Sequence, residues 1–207
     1  MDAQPELHFD VAYPERLSRL LIFVKWLLVI PHIVVLYFLQ LGLNIVTFIA
    51  WFGILFTGNY PRGLFEFAVM TMRWQARVTA YISLLRDEYP PFGDGQYPVQ
   101  YELAYPPRLS RLLIFVKWLL IIPHLVVLFF LGIAAFVAFV VAWFAILITG
   151  RYPRGLFDFV VGVQRWSGRV MIYYYLLTDA YPPFTLGPTS APTDPYPPDA
   201  AVAPVRF

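Results

Sequence analysis

Arg16–His32 reads RLSRLLIFVKWLLVIPH, and Arg108–His124 reads RLSRLLIFVKWLLIIPH. One stretch thus occurs twice with a single change, Val29 against Ile121, at an offset of 92 residues. Extending outward at that offset, Tyr13–Phe92 aligns with Tyr105–Phe184 without a gap, and 50 of the 80 positions are identical. The chain is therefore a tandem duplication. A repeat this long, carrying its own hydrophobic segments, predicts two similar modules packed side by side rather than a solenoid of short units. Because a duplication also preserves neutral residues, the diverged positions are the informative ones.

Composition assigns the class. Hydrophobic residues make up 59% of the 207 and charged residues only 14%, far from a typical soluble domain. No Asp, Glu, Lys or Arg occurs between Trp26 and Pro61, or between Trp118 and Gly150, and apolar runs of that length are membrane-spanning candidates. A net charge of +2 argues against nucleic acid as a partner, and the basic residues flank the apolar segments instead of forming one soluble patch. With no cysteine, disulfides, thiolate catalysis and cysteine-ligated metals are excluded. The first apolar segment starts near Leu20 and no cleavage pattern follows it, so it reads as an anchor rather than a signal peptide.

Along the chain, residues 1–12 form an acidic segment in which Leu7, Phe9 and Val11 alternate with His8 and Asp10, the period of a short strand. The linker 93–104 repeats the alternation at Val99, Tyr101 and Leu103, and pairing of the two would tie the modules together. The first repeat occupies 13–92 and the second 105–184. Read as one helix, Leu20–Phe56 would be ~55 Å long against a hydrocarbon core of ~30 Å. The expectation is a helical hairpin turning at Gln40, Gly42 and Asn44, where the copies diverge most. After it, TGNYPRGLFEF and TGRYPRGLFDF supply a glycine to end one helix and a proline to begin the next.

In that next helix, Arg62, Glu66, Arg73 and Arg77 fall on one narrow arc, repeated as Arg154, Asp158, Arg165 and Arg169. A narrow charged stripe on an apolar helix predicts an amphipathic interfacial helix under the hairpin. The arginines of this stripe, Arg62, Arg73, Arg77, Arg154, Arg165 and Arg169, are candidate contacts to anionic lipid. The fold expected is all-α and integral to the membrane: two tandem repeats, each a transmembrane hairpin plus an interfacial helix, with a short strand before each. Two spans per repeat keep all basic flanks on the cytoplasmic side, which three would not. The tail 185–207, rich in Pro, Ala and Thr, reads as disordered.

Ser18, Lys25 and His32 are spaced by seven, as are Ser110, Lys117 and His124, which on a continuous helix gives one polar seam per repeat. Ionisable groups inside a span are costly and face a bundle interior or a polar cavity. Three readings of the seams are open: local packing at the Pro31 and Pro123 kinks, a pair of histidines holding a haem or metal, or a path for protons, small ions or a lipid head group. Nucleophile elbows, zinc-hydrolase motifs and phosphate loops are missing.

The patterns YPxRLSRLLxFxKWLLxIPHxxVL, WFxILxTGxYPRGLFxFxxxxxRW and LLxDxYPPF, with x a variable position, occur in order, twice through. Together they resemble the family catalogued as domain of unknown function 4389. The resemblance implies a small multi-span bacterial membrane protein and brings no activity or site residue with it. The reading that follows is a non-enzymatic accessory or scaffold subunit of the bacterial cytoplasmic membrane, multi-pass with both termini cytoplasmic. It would contact membrane lipids and a larger membrane protein complex, with no cofactor. The alternatives are a small transporter or channel using the Lys-His seams, or a haem-binding subunit.

Overall fold

A computed structural model describes residues 6–93 and 95–189; residues 190–207 of the Pro-rich tail lie outside the described residues. The first repeat comprises strand β1 (His8–Val11), helix α1 (Leu21–Leu28), helix α2 (Ile30–Thr57) and helix α3 (Arg62–Ile82). The second has strand β2 (Val99–Glu102), a 3-10 turn at Leu113–Phe115, and helices α4 (Lys117–Leu120), α5 (Ile122–Thr149) and α6 (Arg154–Tyr174).

Pro31 explains the break between α1 and α2. Proline has no N–H to donate to the previous turn and its ring crowds that carbonyl. The backbone stays helical through Val29, at φ −81° and ψ −15°, so the break is a kink rather than a reversal.

The expected hairpin tip is corrected: Gln40, Gly42 and Asn44 lie inside α2, an unbroken helix of 28 residues. Tertiary packing gives these residues a different use. The Gln40 amide donates to the Tyr175 hydroxyl of the other repeat. A Cβ on Gly42 would sit 3.3 Å from the Phe67 ring, so this glycine lets α3 approach closely.

The reversal comes after α2. Gly58 adopts φ 78°, the left-handed conformation that glycine enters without steric cost, and its N–H bonds to the Ile54 carbonyl at 2.8 Å. Pro61 then precedes α3. Helix α3 runs back along α2, with Trp74, Val78 and Tyr81 packed against Val29, Val35, Leu36 and Leu39. Each repeat is thus a hairpin of one apolar and one amphipathic helix. This corrects the expectation of an interfacial helix beneath an all-apolar hairpin, and it leaves two helices in the described residues, rather than four, long and apolar enough to cross a membrane.

Strands β1 and β2 form an antiparallel two-stranded ribbon with Phe9 opposite Tyr101. These two residues are equivalent under the 92-residue offset, so the pair marks a pseudo-two-fold axis. Other contacts come in matching couples about it. The Leu17 N–H bonds to the Gly150 carbonyl and that of Leu109 to the Gly58 carbonyl. The Tyr13 hydroxyl donates to the Tyr152 carbonyl and that of Tyr105 to the Tyr60 carbonyl. Phe23 meets Trp143 edge-on, as Phe115 meets Trp51. The arm preceding each repeat therefore docks on the other repeat, and the start of each apolar helix lies beside the end of its counterpart.

Candidate functional site

The seams are built by the loop that follows each amphipathic helix. Helix α3 ends in a Schellman arrangement, with the Leu85 N–H on the Ala80 carbonyl and the Leu84 N–H on that of Tyr81. Leu84 occupies the left-handed position at φ 63°, and Leu176 repeats it at 65°. A leucine there is strained, and burial of its side chain, 2% exposed at Leu84, holds it in place. The turn throws residues 86–92 back across α1.

There the loop meets Lys25, whose side chain is 2% exposed. Its ammonium donates to the Arg86 carbonyl at 2.6 Å, pairs with Asp87 Oδ1 at 2.8 Å and lies 4.9 Å from the centre of the Tyr81 ring. The other oxygen, Oδ2, accepts the Ser18 N–H at 2.5 Å. Ser18 lies before α1, where its hydroxyl accepts the Leu21 N–H at 3.3 Å. One carboxylate thus closes the turn into α1 and neutralises the buried lysine, as burial of a charge requires.

The second repeat reproduces this closely. Lys117 bonds to the Thr178 carbonyl at 2.6 Å, to Asp179 at 2.6 Å and lies 5.0 Å from the Tyr173 ring centre, while Asp179 accepts the Ser110 N–H at 2.5 Å. Burial, with the Asp179 and Tyr181 charges adding to it, pushes the Tyr173 hydroxyl up to about 12, so the ring stays neutral beside the ion pair.

His32 sits two turns further along and is fully buried. Its Nδ1 accepts the Trp74 indole N–H at 3.0 Å, and its ring stacks on Phe92 at 4.1 Å. Tyr89 covers a further side at 4.8 Å, and its hydroxyl donates to the Leu28 carbonyl beside the kink. His124 has the same cage of Trp166, Phe184 and Tyr181. With Nδ1 accepting, the neutral ring carries its proton on Nε2, which has no hydrogen-bond partner in either repeat among the described residues.

Each seam is therefore closed within its own repeat. Lysine and histidine lie two turns apart, with serine off the helix, so the three do not form the continuous polar stripe that the spacing suggests. Neither lysine reaches the other repeat's carboxylate, and each histidine is stacked inside its own cage. Among the described residues no group of three His, Asp or Glu is placed to hold a metal. The arrangement is one of packing and charge neutralisation.

The stripe arginines have protein partners. Arg73 donates to the Tyr101 carbonyl and Arg165 to that of Phe9, so each repeat grips the ribbon from below. Arg77 donates to the Gly93 carbonyl and Arg169 to those of Thr185 and Gly187. At 6% and 4% exposure, Arg77 and Arg169 are withdrawn from any lipid surface, which corrects the expectation for these two; burial also lowers the Arg169 guanidinium from its ordinary range. Arg62 and Arg154 remain exposed, lying over the rings of Tyr105 and Tyr13 at 5.2 and 4.4 Å.

The family model described as Domain of unknown function (DUF4389) matches residues 19–93 and again 111–185. The chain belongs to the DUF4389 family. No curated protein and no solved structure matches it. Each match starts one residue after the seam serine and runs through both helices to just past the closing YPPF, so it takes in the lysine, histidine and aspartate of one seam. Asp87, Asp179 and the YPPF aromatics are not among the residues that the spacing alone placed in the seams. A signal was present: Asp87 is the one acidic residue of the first repeat that recurs unchanged in the second, whereas Glu66 becomes Asp158, Glu15 becomes Pro107 and Glu88 becomes Ala180.

Proposed function

We propose that this DUF4389 chain is a non-catalytic membrane subunit, which in a bacterium would belong to the cytoplasmic membrane. Its two apolar helices lie in lipid and dock against a larger membrane protein complex. The observation that carries this reading is exposed apolar surface. The most apolar windows of Leu21–Thr57 and Ile122–Thr149 have mean hydropathies of 2.2 and 3.0, yet only 22% and 11% of them is buried. A core helix of a water-soluble protein would be covered instead. Tyr37, Phe38, Leu41, Phe48 and Phe56 on α2, and Phe129, Phe130, Phe136 and Ile148 on α5, all stand more than half exposed. Contiguous apolar surface of this kind marks a lipid or protein interface. The closed seams favour a structural over a transport role, because a path for ions needs polar groups that water can reach.

The test is alkaline carbonate extraction of native membranes, followed by native mass spectrometry of the gently solubilised chain. The reading expects the chain to stay with the washed membranes and to carry partner subunits that are lost when Tyr37 and Phe38 are replaced by alanine. Recovery in the soluble fraction, or a partnerless chain at native abundance, would count against it.

A further inference from the structure

Resting on the membrane reading above, we infer that the chain inserts into one leaflet, with α2 and α5 lying flat in the acyl layer of an anionic membrane rather than crossing it. The argument starts from depth. Helix α3 runs back along α2 with Phe67 beside Gly42 and Trp74 bonded to His32, so the middle of α3 lies level with the first turns of α2, just past the kink. Arg73, midway along α3, holds the ribbon through the Tyr101 carbonyl, and Arg165 does the same from α6 through Phe9. Because Phe23 lies beside Trp143 and Phe115 beside Trp51, the axis through the ribbon crosses the kinked helix Leu21–Thr57 near its middle and not beyond its ends.

Its outer surface is polar. Asp10 is 57% exposed, Gln100 and Glu102 are exposed, and only His8 is half-buried. If α2 crossed a bilayer, these groups would lie near the midplane, where exposed ionisable side chains are strongly disfavoured. Among the described residues the ribbon has two strands, so away from the Tyr101 and Phe9 carbonyls held by Arg73 and Arg165 its edges would also turn backbone toward hydrocarbon, which spanning structures avoid. With the helices flat, the ribbon instead faces water and the exposed rows of α2 and α5 face the acyl chains.

Charge agrees. Because the start of each apolar helix lies beside the end of its counterpart, exposed arginines collect at both ends. Arg16, Arg19, Arg151 and Arg154 lie around Gly150, and Arg62, Arg108 and Arg111 around Gly58. Glu15 and Asp158 accompany the first set and Glu66 the second, leaving each end net basic. A spanning chain would carry this charge on both sides and have no orientation by the positive-inside bias. A flat one has a basic rim at the level of anionic head groups. The very high hydropathy of α2 and α5, unusual for surface helices, follows because their inward faces are covered by α3 and α6 rather than by water.

The chain contains no cysteine, so single-cysteine variants each carry one thiol. Asn59→Cys, Arg151→Cys and Gln100→Cys, with Leu41→Cys on the exposed α2 face, would be treated with a membrane-impermeant maleimide in intact spheroplasts and in inverted vesicles from the same cells. One-leaflet insertion expects the first three to label together from the cytoplasmic side and not at all from the other, with Leu41→Cys protected from both. Labelling of Asn59→Cys and Arg151→Cys from opposite sides, or of each partly from both, would overturn it while leaving membrane residence intact. Loss of the chain on carbonate washing, with Leu41→Cys freely labelled, would remove the membrane reading itself.

Discussion

At the level of single residues, each repeat rests on a buried lysine that has one carboxylate to answer it. Removing the carboxylate's charge strands the ammonium, and breaking a buried pair from one side costs about 3–5 kcal/mol. The aspartate of the second pair is 12% exposed against 25% for that of the first, so water screens the second less. Asp179→Asn is therefore expected to destabilise the chain more than Asp87→Asn, read as the shift in unfolding midpoint in mixed micelles. Replacing both partners, as Lys117→Met with Asp179→Leu, is expected to recover part of the loss, because no charge is then left unpaired. This pairing was within reach of the sequence. A lysine in an apolar helix demands an anion, and Asp87 and Asp179 stand 62 residues after Lys25 and Lys117 in both copies. What the sequence does not display is the left-handed Leu84 that turns the loop back, since no residue type announces a strained leucine.

The apolar helices show where pattern and length mislead. An apolar run too long for one bilayer crossing, with Gln, Gly and Asn at its centre, reads as a turn when the membrane normal is taken as the helix axis. Those residues instead serve lateral contacts, Gln40 to Tyr175 and Gly42 to Phe67, and a helix of 28 residues lying flat need not match any thickness. The strand alternation and the glycine–proline turn were legible because each depends on local chemistry alone. Glycines separate the two kinds of constraint. Ala134 and Ala145 occupy in the second repeat the places of Gly42 and Gly53, whereas Gly150 retains that of Gly58. Gly42→Ala and Gly53→Ala, whose added Cβ would meet the Phe67 ring at 3.3 Å and the Pro61 ring at 3.0 Å, are accordingly expected to cost less than Gly58→Ala, since the second repeat accommodates alanine at both places. Gly58→Ala should cost about 1–2 kcal/mol for its left-handed backbone, with the Arg108 side chain 3.3 Å from the added Cβ. Thermal unfolding of the three variants side by side decides it.

For the whole molecule, the exchange of arms makes each repeat incomplete alone. Residues 1–92, expressed by themselves, retain an arm with no second repeat to receive it and an empty place beside Gly58 and Tyr60. Since Tyr105 and Leu109 fill that place in the full chain, Tyr13 and Leu17 of another copy can fill it in their stead. The single repeat is expected to form a symmetric dimer in detergent, and a monomer by light scattering would contradict the exchange. The same connectivity orders events during synthesis. Tyr13 waits for Tyr152, 139 residues later, an interval of ~7–28 s at elongation speeds of roughly 5–20 residues per second. Within it α2 is completed well before the second repeat that packs beside it, and its apolar side is uncovered until then. Under the membrane reading proposed above, contact with lipid comes first and closure of the fold afterwards, so the bilayer would act as the chain's earliest chaperone.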